Sequence, residues 1–306
     1  MFEQFKKQVS SASNASSSQK DAVIRVIGDR ASGKTTYMAA LARFPHASSN
    51  NLIQSITAIN DDGRELIAKA QNLLEQGLEL EPTDLETKAE IIKDYRLSIL
   101  TNDSFSLKRT PIGLTGSPTL QMNVSFKDYA GEFFSDLLHR SQDSQLADYL
   151  EDCSQATGIM FLLDGSAQRK DAEYAAAIEK FFNGLVDTKD TSTLKRIALV
   201  LTKCELPDLW IKRNQPEKLA HAKFKQVCAK LQSWQLSSKG NVNYFATSAF
   251  GVVGSRFAEP NSKQLSRDQG GVTSILRDPQ HWRPFGLVSP IYWLCTGNRQ
   301  QQLDEE

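Results

Sequence analysis

The chain has 306 residues, and its 36 basic and 36 acidic side chains cancel to a formal net charge of zero. This balance gives no electrostatic indication of nucleic-acid binding, and no run of about eighteen apolar residues is present that could cross a membrane. The four cysteines lie far apart and have no metal-ligand spacing, so we expect a reduced, cytoplasmic protein.

The chain opens with a serine-rich segment, residues 1–20, which we expect to be a flexible leader. An apolar run over 22–27 predicts a strand, and a helix is predicted from Lys34 onward. Between them lie the loop residues Gly28, Asp29, Arg30, Ala31, Ser32, Gly33, Lys34, Thr35 and Thr36. A strand, a glycine-rich loop and a helix in this order form the context of a phosphate-binding loop.

The residue types in this loop suit a phosphate ligand. Its glycines let backbone N–H groups point at phosphate oxygens, and the helix adds the positive end of its dipole. We expect Lys34 to reach the β- and γ-phosphates and the Thr35 hydroxyl to ligate Mg²⁺. Arg30 either leans over the γ-phosphate as an arginine finger in cis, or points to solvent or binds Asp29. A plain glycine turn is the alternative, which the flanking strand and helix disfavour.

The segment 45–94 is longer than a loop in a compact domain should be, and we predict that it forms a helical insertion. Apolar residues from Leu66 to Leu74 recur at helical spacing, and Gly77 follows where a C-cap would lie. Thr83, further along the insertion, has the residue type of an N-cap for a short helix.

Five further strands follow from the apolar pattern. Alternation over 95–99 and 120–126 predicts two neighbouring antiparallel strands. Continuous apolar runs at 158–163 and 197–201 predict strands buried on both faces of a parallel sheet, and 242–246 predicts the last strand.

The remaining segments are predicted as helices and loops. One helix is expected from Pro216 through Leu231, with Pro216 near its start. We expect residues 250–285 to form a long loop, because they are rich in Gly, Pro and Ser. A closing helix then begins near Ser289, and residues 299–306 are predicted to be a polar tail.

Strands that alternate with helices indicate an α/β fold, which we place over residues 21–298 as a single domain. We predict a mostly parallel sheet of six strands flanked by helices. Ligands of such sheets bind beyond the carboxyl ends of the strands. The polar clusters of this sequence each follow a predicted strand, so we expect them to meet at one edge of the sheet.

These motifs, taken in order, resemble the Ras-like class of P-loop GTPases over about residues 21–250. Asp128-Tyr-Ala-Gly131-Glu132 is similar to the Asp-x-Ala-Gly-Gln switch segment, with Glu in place of Gln. Thr202-Lys203-Cys204-Glu205 is similar to the guanine motif Asn/Thr-Lys-x-Asp, with Glu in place of Asp. The segments 33–41, 128–132 and 290–294 also look like bacterial "double-GTPase" domains.

The resemblance implies a role for each matched residue. Asp128 would hold Mg²⁺ directly or through water, the Gly131 N–H would approach the γ-phosphate, and Glu132 would orient the attacking water. Glu205 would accept hydrogen bonds from guanine, on a longer arm than the usual Asp, while the Lys203 stem packs along the base. The whole base pocket would comprise Thr202, Lys203, Glu205, Ser248 and Ala249.

The class also carries a switch threonine before the second strand, which ligates Mg²⁺ and senses the γ-phosphate. Thr83, which follows Pro82, is similar in local sequence and is our first choice. The competing assignments are Thr87, Thr101 and Thr110, and a capping role for Thr83 stays open.

The resemblance therefore implies a protein that binds GTP with Mg²⁺, hydrolyses it slowly without a partner, and acts as a molecular switch in a bacterial signalling or conflict system. Lys34, Glu132, Thr83 and Arg30 are the expected catalytic residues. We expect an effector or regulatory protein as the partner. A nucleotide-binding scaffold that does not hydrolyse, and a P-loop ATPase or small-molecule kinase, are the alternatives.

Overall fold

The computed structural model describes most of the chain in ten segments, residues 17–44, 52–77, 93–102, 119–128, 136–138, 144–186, 196–238, 240–254, 258–266 and 272–305. The central element is a seven-stranded sheet. Its strands are β1 (Ser17–Ile27), β2 (Ile53–Ala58), β3 (Asp94–Asn102), β4 (Thr119–Asp128), β5 (Gly158–Asp164), β6 (Arg196–Thr202) and β7 (Asn241–Ala246).

The sheet is parallel at its centre and antiparallel at one side. The strand order is β2-β3-β4-β1-β5-β6-β7. β1 pairs in parallel with both β4 and β5, and β5, β6 and β7 continue the parallel part. β3 runs antiparallel to both β2 and β4. The carboxyl ends of β1, β4, β5, β6 and β7 consequently share one edge, where ligands bind in sheets of this type.

Residues 136–138 are helical, and nine other α-helices have described bounds. They are α1 (Lys34–Arg43), α2 (Asp61–Gln76), α3 (Ser144–Ser154), α4 (Asp171–Val186), α5 (Pro207–Trp210), α6 (Pro216–Lys223), α7 (Lys225–Ser238), α8 (Ser289–Thr296) and α9 (Gln301–Glu305). In the described residues, no helix is long and apolar enough to cross a membrane.

The helices cover the sheet on both faces, and β5 shows how the sequence produces this arrangement. Met160 and Leu162 belong to one core, which also contains residues of α1, α2 and α8. Ile159, Phe161 and Leu163 belong to the other, with residues of α3, α4 and α7. Side chains alternate along a strand, so an unbroken apolar run supplies both cores. The predicted α/β fold and the buried strands are therefore confirmed.

The predicted number of six strands is wrong, because β2 was missed inside the insertion 45–94. This edge strand has a register shift between Ile53 and Ser55. The irregularity leaves Ile53 and Ile56 both buried, three residues apart, which masks the two-residue period of a strand. The helix predicted in the insertion is present as α2, and Gly77 caps it with a φ of 69°.

The helix predicted from Pro216 through Leu231 is in fact two helices, α6 and α7. Phe224 lies between them with φ −134° and ψ 60°, outside the helical region. The Asp171 carboxylate accepts hydrogen bonds from Gln226 N (2.9 Å) and Val227 N (3.1 Å), and so satisfies two free N–H groups of the new helix.

Residues 250–285 are not a plain loop. They contain two small antiparallel sheets, formed by β8 (Val252–Val253) with β9 (Glu259–Pro260) and by β10 (Ser262–Ser266) with β11 (Val272–Leu276). The sequence does contain a signal for the second hairpin. Residues 272–276 are partly apolar and β-branched and follow two glycines, a pattern that is typical of a strand after a turn.

Both predicted ends of the domain contain ordered structure. β1 begins at Ser17, within the predicted leader 1–20, because its first residues pair with the start of β4. The predicted tail over 299–306 includes α9, whose Leu303 is buried. Arg299 Nε donates to Asp304 at 3.0 Å, and Asp304 also accepts a hydrogen bond from Ser289 at the start of α8.

Candidate functional site

A cavity of about 600 Å³ lies at the carboxyl edge of the sheet. Three of the predicted motifs meet there, namely the glycine-rich loop after β1 and the polar segments after β6 and β7. The predicted residues that line it are Asp29, Ala31, Ser32, Gly33, Lys34, Thr35, Thr36, Thr202, Lys203, Glu205 and Ala249. Gly28, Arg30 and Ser248 are not part of the lining, although they adjoin it in sequence.

The loop after β1 has the backbone geometry of an anion-binding nest. Ala31 and Gly33 both have positive φ, at 62° and 91°, and such alternation turns successive N–H groups to one side. Gly33 is also the N-cap of α1, whose first backbone bond runs from Tyr37 N to Gly33 O at 2.8 Å. Gly28 allows the close approach to β5, since a Cβ there would lie 2.5 Å from the Leu162 carbonyl oxygen.

Lys34 is buried, and its ammonium group bends back along the loop. Its Nζ donates to the carbonyl oxygens of Gly28 at 2.7 Å and Asp29 at 3.4 Å. The cation is therefore held beside the nest of N–H groups, where it adds a full positive charge to their partial charges. This combination favours a polyanion at the same point.

Thr202, the last residue of β6, joins the phosphate loop to the sheet. Its Oγ1 lies 2.6 Å from the Ser32 carbonyl oxygen and 3.2 Å from that of Leu163. Thr202 and Ser32 are both buried, and the single hydroxyl proton is donated to the Ser32 carbonyl, which lies at the shorter distance. This contact fixes the distance between the phosphate loop and the base-recognition motif that begins at Thr202.

Asp29 is held by helix α4 and the turn before it. Its carboxylate accepts hydrogen bonds from Lys170 and from the Tyr174 hydroxyl, the latter at 3.1 Å. The bond to Asp29 raises the pKa of Lys170, and burial raises that of Tyr174. Asp29 Oδ1 also accepts the Arg30 N–H at 2.7 Å. The Arg30 side chain is exposed, and the arginine-finger assignment stays a prediction.

Lys203 occupies an unusual backbone position after β6. Its φ is 59°, a left-handed conformation that costs energy in a residue with a side chain. Its Nζ pairs with Asp164 at 2.6 Å, at the carboxyl end of the neighbouring strand β5. The other Asp164 oxygen accepts the Ser166 N–H at 2.9 Å, so the carboxylate is fixed and holds Lys203 along the cavity wall.

Glu205 is the most buried acidic group at the cavity, with 3% of its surface exposed. Its Oε2 accepts a hydrogen bond from Ser248 Oγ at 2.6 Å. Burial raises the pKa of the Glu205 carboxyl, although the bond from Ser248 and the charge of Lys203 act in the opposite direction. The carboxyl is thus positioned by a dedicated partner and is costly to ionise until a donor pairs with it.

Ser248 holds the Glu205 carboxyl in place by hydrogen bonding. Its N–H and carbonyl exchange hydrogen bonds with Phe285, each at 3.0 Å. Its hydroxyl accepts the Gly251 N–H at 2.7 Å and donates to Glu205. Because these contacts use the Ser248 N–H, Ala249, which lines the cavity, is left as the backbone donor that the motif would offer to a base.

Of the predicted Mg²⁺ ligands, the structure describes Thr35 and the backbone of Asp128. Thr35 lines the cavity at the start of α1. Asp128 ends β4 in register with Val26 of β1, one strand from the phosphate loop. No group of three His, Cys, Asp or Glu side chains among the described residues could hold a metal by itself, so Mg²⁺ would also need phosphate and water as ligands.

The structure narrows the choice of switch threonine. Thr101 pairs with Leu120 at the amino end of β4, and its hydroxyl bonds the Leu120 carbonyl at 3.3 Å. It lies at the wrong end of the strand for the site, which removes it as a candidate. Five other predicted residues, Thr83, Thr87, Thr110, Gly131 and Glu132, lie outside the described residues, as does the side chain of Asp128.

Sequence reasoning missed one wall of the cavity. Five lining residues come from the small sheets within 258–276, namely Pro260, Ser262, Gln264, Thr273 and Ser274. Tyr37, Ser166, Leu206, Thr247 and Phe250 complete the lining. The hairpin was missed because the Gly- and Ser-rich composition of its surroundings indicates a loop more strongly than the short strands indicate a sheet.

Comparison with protein-family models gives one match. Residues 113–259 match the model of the family Double-GTPase 2. This region includes Asp128, Lys203, Glu205 and Ser248, whereas the glycine-rich loop precedes it. The predicted resemblance to P-loop GTPases of the double-GTPase type is confirmed. No curated protein sequence matches the chain.

Two of the solved structures that are similar to this chain illustrate the likeness. One is the bacterial selenocysteine-specific elongation factor EF-Sec, with 14% identity and a TM-score of 0.32, covering 75% of this chain and 26% of that one. The other is the S. cerevisiae Ski7 GTPase-like domain, bound to GDP and inorganic phosphate, with 13% identity and a TM-score of 0.33. The second covers 80% of this chain and 45% of that one. The chain thus spans less than half of either structure.

The raised pKa of Glu205 predicts pH-dependent binding of guanine nucleotides. Guanine offers two N–H donors to a carboxylate, and a protonated carboxyl loses part of its capacity to accept them. Affinity for GDP should therefore rise with pH until the Glu205 proton is lost, and then become constant. Below that point the affinity should fall by at most about tenfold per pH unit and then level off at the affinity of the protonated form. Calorimetric titration of the protein with GDP between pH 5 and 8 would measure this pH dependence.

The matched control is Glu205→Gln, which has nearly the same shape but does not titrate. We expect it to bind GDP more weakly and to lose the pH dependence. If the variant retains the pH profile of the wild-type protein, Glu205 is not the titrating group, and the assignment of this carboxyl to the base fails.

Proposed function

We propose that this chain, a P-loop GTPase-like protein of the double-GTPase type, binds GTP with Mg²⁺ and hydrolyses it. The observation that carries the proposal is the joining of two motifs in one cavity. A nest of N–H groups with Lys34 lines the same cavity as Lys203 and the buried carboxyl of Glu205. A ligand that carries a polyanion and a planar, hydrogen-bonding base would suit both sets of residues.

The roles of the residues follow from this placement. Backbone N–H groups and Lys34 would hold the β- and γ-phosphates, and Thr35 with Asp128 would hold Mg²⁺. When bound by these residues, Mg²⁺ would supply positive charge that stabilises the phosphate groups. Glu205, oriented by Ser248, would accept the two N–H donors of guanine. Adenine has no N–H at the ring position concerned, so it would leave one carboxylate oxygen unpaired.

Hydrolysis would depend chiefly on positioning and charge stabilisation. The loop dipoles and Lys34 are fixed before substrate binds, and fixed dipoles stabilise developing charge without reorganising. Glu132 would orient water, and Thr83 would sense the γ-phosphate. Loss of the γ-phosphate would release the segments that carry these two residues, which would give a switch read by an effector or regulatory protein in a bacterial signalling or conflict system.

A second function is favoured by one sequence feature. Ras-like GTPases have Gln at the position of Glu132. A carboxylate beside the phosphates would be repelled by them, and this repulsion opposes a role in orienting the attacking water. The chain would then bind GTP as a structural element of an assembly and would not turn over usefully. Single-turnover hydrolysis separates this candidate from the first.

Binding is tested by calorimetric titration with GTP and with ATP in the presence of Mg²⁺. We expect GTP to bind at least about tenfold more tightly, because adenine leaves the buried carboxyl imperfectly paired. Lys34→Ala should weaken GTP binding by about a hundredfold or more, because a charge-assisted contact is removed. Lys69→Ala is the matched control, since Lys69 pairs with Glu65 on α2, away from the cavity. Equal affinity for ATP and GTP would contradict the guanine assignment.

Hydrolysis is tested by single-turnover measurements on the wild-type protein and Arg30→Ala at saturating GTP. An arginine finger in cis should make the variant slower, by about a thousandfold if the finger is well placed. Arg169→Ala is the control. It removes a cation from the turn after β5, and Arg169 does not line the cavity. An unchanged rate in Arg30→Ala would remove Arg30 from the mechanism and leave nucleotide binding intact.

A further inference from the structure

One wall of the nucleotide cavity comes from an element that none of the GTPase motifs includes. The strands β9, β10 and β11 contribute Pro260, Ser262, Gln264, Thr273 and Ser274 to the lining. Apart from the proline, these residues are neutral and polar, and Gln264 and Ser274 are exposed.

The register of the hairpin explains why its two faces differ. Gln264 lies directly opposite Ser274, and directly opposed residues of an antiparallel pair share a face. The other face, which includes Thr273 and Ile275, packs on the C-terminus of α2, and Thr273 also reaches the edge of the cavity. A Cβ on Gly77 would lie 2.7 Å from Thr273 Cγ2 and 2.9 Å from Ile275 Cγ2. The helix therefore supports the hairpin from outside, while Gln264 and Ser274 are presented to the cavity.

The start of the β10–β11 hairpin is hydrogen-bonded to the loop after β7, which carries the residues predicted to bind the nucleotide base. Asn261 is fully buried, and its side-chain amide donates to Asp278 O at 2.9 Å and accepts from Asp278 N at 2.8 Å. Its own N–H donates to the Gly251 carbonyl at 2.9 Å. In the same region Trp282 Nε1 donates to the Ala249 carbonyl at 2.8 Å. The hairpin thus has a defined position relative to Ala249.

The chemistry of this wall matches one part of a nucleotide. Phosphate recognition uses cations and clustered N–H groups, which the loop after β1 supplies with Lys34. An amide and a hydroxyl without charge suit the neutral hydroxyl and amide groups of a nucleoside. We propose that the β10–β11 hairpin is a nucleoside-binding wall, in which Gln264 and Ser274 hydrogen-bond the ribose or the base of the bound nucleotide. The inference rests on the proposed function.

The test measures the rate at which unmodified, radiolabelled GDP dissociates from the protein in the presence of Mg²⁺. Labels attached to the ribose are avoided, because they would lie against the wall in question. For Gln264→Ala/Ser274→Ala we expect dissociation to be about tenfold faster, which corresponds to the loss of two ordinary hydrogen bonds. Both residues are exposed, so the double variant should keep the thermal stability of the nucleotide-free protein.

Two controls make the result specific. Lys263→Ala changes an exposed residue opposite Ile275 on the other face of the hairpin, and should leave the dissociation rate unchanged. Inorganic pyrophosphate should bind the double variant and the wild-type protein equally, since it lacks a nucleoside.

The outcomes separate this inference from the proposed function. Wild-type protein that retains no GDP would overturn the proposed function itself. Tight GDP binding with an unchanged rate in the double variant would overturn only the nucleoside wall. An equal loss of pyrophosphate binding would also overturn it, because the hairpin would then act on the phosphate end.

Discussion

The candidate nucleotide site has at its centre one buried contact, between the Thr202 hydroxyl and the carbonyl oxygen of Ser32, at 2.6 Å. Ser32 belongs to the phosphate loop after β1, and Thr202 ends β6, two strands away across β5. The phosphate loop is also held by its junctions with β1 and α1, by the close approach of Gly28 to Leu162, and by the bonds that Asp29 accepts from the region of α4. Because Thr202 is followed at once by Lys203, the same residue fixes where the base motif begins.

A second set of contacts continues from that point to the far wall of the cavity. Ser248 orients the Glu205 carboxyl at 2.6 Å and accepts the Gly251 N–H at 2.7 Å. Gly251 in turn accepts a hydrogen bond from Asn261, which fixes the base of the β10–β11 hairpin. The phosphate loop, the base motif and the hairpin are therefore linked by short bonds through buried groups. Such linked sites hold their geometry before the ligand arrives, which favours tight and selective binding.

Local pattern was sufficient to predict the elements that carry most of the site. The phosphate loop, the strand run from 158 to 163 and the polar segment from Thr202 to Glu205 could be placed because a strand, its end and the following residues are adjacent in sequence. Two features could not be predicted this way. β2 was hidden by a register irregularity at Ile53, and the hairpin wall depends on Asn261, whose partners are Gly251 and Asp278. The support of Glu205 by Ser248 also needs the fold, since they meet only when β6 and β7 pair.

The most direct test of this account is the affinity of Thr202→Val for GDP with Mg²⁺, measured by calorimetry. Valine keeps the shape of threonine but leaves the buried Ser32 carbonyl without its partner, a cost of about 1–3 kcal/mol that falls on the loop that binds phosphate. We expect GDP to bind about tenfold more weakly or worse. Thr101→Val removes a similar buried hydroxyl bond at the opposite end of the sheet, and should leave the affinity unchanged. Wild-type affinity in Thr202→Val would show that the phosphate loop does not depend on this contact.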